Sequence, residues 1–102
     1  MAAAQAQPEK EAITVYAVVV EVSISDFEQA RKELEETVVP AVAHAPGFVS
    51  GVWVALDGNK GRSIVVFESQ DGANAAAGQV RAMARAGVSV DSVGVGEVVG
   101  RA

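Results

Sequence analysis

Phe48-Val-Ser-Gly-Val-Trp-Val-Ala-Leu56, then Asp57-Gly-Asn-Lys-Gly61, then Arg62-Ser-Ile-Val-Val-Phe-Glu68 reads as two strands joined by a hairpin loop. The outer segments are rich in β-branched and aromatic residues, and the insert between them is turn chemistry. Upstream, Ala12 to Val22 is another such run, and Val88 to Gly100, loosened by Gly94 and Gly96, closes the series. Helical spacing fills the two gaps. Phe27, Ala30, Leu34, Val38 and Ala41 form one apolar stripe, with Glu28, Lys32, Glu35 and Glu36 opposite. Ala73, Ala76, Ala77, Val80 and Ala84 form the other, over about Gly72 to Ala86. Ser25-Asp26-Phe27-Glu28 has capping-box spacing, Ser25 reaching forward and Glu28 back. Ser69-Gln70-Asp71 offers caps to the second helix, and Gly87 suits a C′ glycine. Pro40 predicts a kink, or an end near Val39 with an irregular turn through His44, and Pro46-Gly47 breaks the chain. The order β-α-β-β-α-β is the ferredoxin-like arrangement of an α+β fold: a four-stranded antiparallel sheet with two helices on one face. Residues 1–11 read as a flexible leader and residues 12–102 as one domain.

Composition narrows the function. The 102 residues carry 13 acidic and 8 basic side chains, a net charge of −5, and no Lys/Arg cluster that could neutralise phosphates, so nucleic-acid binding is excluded. No apolar run is long enough to span a membrane, and the first residues lack the charged and apolar regions of a signal peptide, so a cytoplasmic location is the default expectation. Zero Cys excludes disulfides, a thiolate nucleophile and cysteine metal sites. Val supplies 20 residues and Ala 19, whereas Ile, Leu, Met, Phe, Trp and Tyr together supply 12. In a core of small side chains the few large ones are informative. Two helices cover one face of a sheet, yet the first three strands are apolar on both faces. A second copy packed face to face is the economical cover, so the pattern predicts a homodimer.

The stretch His44-Ala-Pro-Gly-Phe-Val-Ser-Gly-Val-Trp53, the Asp-Gly loop, and Ser-Ile-Val-Val-Phe67-Glu-Ser-Gln-Asp71 before an Ala-rich helix resemble the antibiotic-biosynthesis-monooxygenase-like family. The likeness runs from Ile13 to Val99. It implies a dimeric α/β barrel, and an activity that oxidises an aromatic or quinol-like molecule without metal or flavin. Haem-binding relatives carry a Trp at the end of strand three and a His on helix two. Here Phe67 stands at the first position and Gly72 to Ala86 holds no His, so no haem or other cofactor is expected.

His44, the only His, is the candidate catalytic residue: it could take a proton from a phenolic substrate, or instead close a helix end by bonding a free carbonyl. Trp53, the only Trp, could wall a cavity for a flat ligand or simply fill the core; Tyr16 and Phe67 carry the same two readings. Asn74 and Arg81, two turns apart on helix two, could orient a carbonyl or line a solvated edge. Gly94-Val-Gly96 and Gly58-Asn-Lys-Gly61 lack the spacing and the following helix of nucleotide-binding loops. The alternative to an enzyme is a non-catalytic homodimeric barrel that holds a small hydrophobic ligand or a protein partner.

Overall fold

The computed structural model describes residues 14–82 and 87–102. The strands are β1 (Tyr16–Ile24), β2 (Phe48–Leu56), β3 (Lys60–Phe67) and β4 (Val88–Glu97). They form one open sheet in the order β2-β3-β1-β4, every neighbouring pair antiparallel. Between β1 and β2 run α1 (Phe27–Glu33), a π-helical segment (Leu34–Val38) and α2 (Val39–Ala43); α3 (Gln70–Ala82) links β3 to β4. The α+β class and the ferredoxin-like order follow the sequence. The leader expected over residues 1–11 and the last turn expected through Ala86 lie outside the described residues.

Alternation assigns the faces. Val18 and Val20 of β1 and Val65 and Phe67 of β3 cluster with Ala73 and Ala77 of α3, so these strand positions face the helices. α3 packs closely because its contact residues are methyl-sized: Ala73 and Ala77 are fully buried. The first helical stretch packs less closely on the sheet than α3 does, and Val38 is its one buried residue among those described. Phe67 is the largest fully buried side chain, and Phe48 meets it edge to face at 6.4 Å between ring centroids.

Local chemistry differs from expectation at two points. The N-cap of α1 is Asp26, whose carboxylate accepts the Gln29 N–H at 3.1 Å, and not Ser25. The Ser25 and Asp26 N–H groups are both taken by the Gly87 carbonyl, which holds Ser25 back in the loop. Gly87 itself has φ +76°, and a Cβ there would stand 2.8 Å from the Asp26 carbonyl oxygen, so this junction admits only glycine. Pro40, expected to kink or end the helix near Val39, lies instead in the first turn of α2, which runs on to Ala43. The Val39 N–H reaches back five residues to the Leu34 carbonyl. That wider turn just ahead of Pro40 accommodates its ring and missing donor. Ser69 caps α3 as expected, its Oγ accepting the Gly72 N–H at 3.0 Å.

Candidate functional site

Between the sheet and the first helix lies a cavity of about 430 Å³. Its floor is the helix-facing side of β1, β3 and β2; its roof comes from Ala30, Leu34, Thr37, Val38 and Ala41. The floor carries little bulk where β3 meets β2. Gly61 and Ser63 alternate there on β3, and Ala55 stands beside Gly61 on β2. Gly61 has no room to be larger, since a Cβ would come within 2.9 Å of a Val22 methyl. Trp53 stands opposite Ser63, and its six-membered ring folds back over Gly51: a Cβ on Gly51 would lie 3.0 Å from two ring atoms. The indole thus forms one wall, with Phe67 deeper on the same face.

The interior is apolar and uncharged. Ser63, 9 % exposed, is the one buried polar side chain among the described residues. The charged residues along the cavity are Arg31, Glu33, Glu35 and Arg62; Arg31 pairs with Glu35 at 3.3 Å, and Arg62, which alternates toward the opposite face of the sheet, pairs there with Glu21. Such exposed pairs contribute little to stability.

The sequence candidates separate on this geometry. Trp53 and Phe67 line the cavity. Tyr16 shares their face of the sheet and packs against the same core, opposite Phe67 in register, yet it is not part of the cavity wall. Asn74 is exposed on α3, away from the buried Ala73 and Ala77. Arg81 donates to the Val93 carbonyl at 3.3 Å, tying α3 to β4. His44 is exposed at the C-terminal end of α2, its Nδ1 2.7 Å from the Pro40 carbonyl, outside the cavity. That is the helix-closing arrangement. Ser63 was not singled out by sequence reasoning; its one signal is a lone hydroxyl ahead of the apolar run Ile64 to Phe67.

The sheet's other face is also apolar. Val52, Val54, Leu56 and Ile64 are 45–49 % exposed there, whereas Val18, Val20, Val65 and Phe67 on the helix-facing side are buried. At one end of this face sits a polar cluster. Asp91 is the extra residue where the β1–β4 register shifts, and its carboxylate accepts from Ser23 Oγ at 2.7 Å and from Lys60 Nζ at 3.4 Å. The Ser23 hydroxyl, helped by the Lys60 charge, holds the Asp91 carboxyl below its ordinary value, against a smaller opposing effect of desolvation. A carboxylate with a lowered folded-state pKa stabilises the fold at pH values above its unfolded pKa of about 3.9. The contribution disappears as pH falls from there through the lowered value. Asp91→Asn is therefore expected to flatten the acid side of the stability–pH profile below about pH 4. Urea midpoints measured from pH 7 to pH 2 check this; parallel wild-type and variant profiles would contradict it.

No protein-family model, curated protein or solved structure matches this chain. Among the described residues no helix is long and apolar enough to cross a membrane.

Proposed function

We propose that this protein is a homodimeric barrel that holds a small, flat, largely apolar molecule between its first helix and its sheet. The observation that carries the reading is the cavity itself. At about 430 Å³ it falls in the range of small-molecule sites, roughly 300–1,000 Å³, and its walls are aliphatic and aromatic. A second copy of the chain is the occupant proposed for the opposite face. Val52, Val54, Leu56 and Ile64 offer it an apolar centre. The neighbouring charges are neutralised within each protomer by the Arg62–Glu21 and Lys60–Asp91 pairs. Two chains of net charge −5 can therefore meet on this face without bringing unpaired like charges together.

Oxidation of a phenol or quinol, the activity implied by the family resemblance, would use the same cavity but needs a base inside it. His44 lies outside, bonded to the Pro40 carbonyl, so binding is the reading the lining supports best.

N-phenyl-1-naphthylamine, a neutral aromatic probe that absorbs where Trp emits, tests it directly. Saturable quenching of Trp53 emission is expected, with one probe per protomer. Val20→Phe directs a ring from the cavity floor into the void and is expected to weaken binding by about 10-fold or more, near 1.4 kcal/mol. Absence of saturable quenching, or binding indifferent to Val20→Phe, would sink the reading.

A further inference from the structure

Ser63 is out of keeping with its surroundings. Its strand neighbours on the helix-facing side are Val20 of β1 and Trp53 of β2, and Val65 follows two residues on along the same face. The pattern of this face calls for another Val. Instead a hydroxyl stands there, 9 % exposed, on the cavity floor. It makes no side-chain hydrogen bond to another described residue. Setting a hydroxyl into an apolar wall carries a desolvation cost that an aliphatic side chain of similar size would not. The residue also lines the cavity between the sheet and the first helix. These observations fit a hydroxyl kept for an occupant.

We propose that Ser63 is the specificity-determining contact of the cavity, and that the ligand is a flat apolar molecule bearing one uncharged oxygen, as a hydroxyl or a carbonyl. The oxygen points inward to Ser63 Oγ, which can donate or accept, and the apolar body lies between Trp53 and the helix roof. Charged ligands are disfavoured because no cationic or anionic side chain among the described residues is buried beside Ser63. This inference rests on the cavity being a binding site.

The test compares naphthalene, 2-naphthol and 2-naphthoate by titrating the single Trp53 indole 1H–15N resonance in wild type, Ser63→Ala and Ser63→Thr. Wild type is expected to prefer 2-naphthol over naphthalene by about 3- to 10-fold, the yield of one net hydrogen bond. It should bind 2-naphthoate most weakly. Ser63→Ala should lose the preference while keeping its naphthalene affinity, and should unfold at a higher urea concentration when empty. Ser63→Thr, which retains the hydroxyl, should retain the preference. Equal binding of naphthalene and 2-naphthol by wild type, or a preference that survives in Ser63→Ala, would overturn the role of Ser63 and leave the cavity reading standing. Failure of all three probes to bind would overturn both.

Discussion

Ile64→Lys is expected to convert the proposed dimer, of twice the 10.4 kDa chain mass, into a folded monomer. Ile64 sits on β3 in register with Val52 and Val19, near the middle of the uncovered face, and is 45 % exposed in the single chain. In the isolated protomer a lysine there can carry its ammonium into water, so folding should change by no more than about 0.5 kcal/mol. In a face-to-face dimer the two-fold axis would bury two ammonium groups without partners. An uncompensated buried charge costs about 3–5 kcal/mol, so the dissociation constant should rise by more than about 100-fold. Sedimentation equilibrium across a concentration series checks both halves. A wild-type protein that is monomeric throughout, or a variant that stays dimeric, contradicts the sheet interface.

Phe67→Ala is the substitution expected to damage the fold most. The core is built mainly of Val and Ala, and Phe67 is its largest fully buried side chain, held by Phe48 edge to face and lying opposite Tyr16 in register. Small neighbours cannot close over a vacated ring. The expected loss is about 3–5 kcal/mol, a large part of the roughly 5–15 kcal/mol that holds a domain of this size together. At fixed protomer concentration the melting temperature should fall by more than about 10 °C. Phe67→Leu, which leaves a smaller void, should lose distinctly less. A change below about 1 kcal/mol for Phe67→Ala would mean that the core is not centred on this ring.

The fold was legible because the chain changes period sharply: β-branched runs at 12–22, 48–56 and 62–68 are bounded by Ser, Asp, Pro and Gly, and a helical stripe follows the first and the third of them. The cavity was not legible, for a physical reason. Small residues such as Ser63 and Ala55 lie on its floor, and small side chains register as space only once the strand register sets them side by side beneath the helix. Trp53 and Phe67 could be named as candidates because large side chains are rare here. Which sheet face they occupy depended on a register that apolar residues on both faces conceal. His44 drew notice as a unique titratable group, yet its position follows from the end of α2 after Pro40, and that in turn from a π turn that no spacing rule foretells. Asn74 and Tyr16 share an element or a face with the site without reaching it.

The most direct test of the account follows from Trp53 being the only Trp: a 1H–15N spectrum of the protein contains a single indole resonance, and that resonance belongs to the cavity wall. Titration with N-phenyl-1-naphthylamine is predicted to shift it together with the amides of Ser63 and Val38, and to leave those of His44 and Asn74 in place. Shifts confined to Val52 and Ile64, with the indole resonance unmoved, would put the ligand on the sheet face and contradict the cavity as the site.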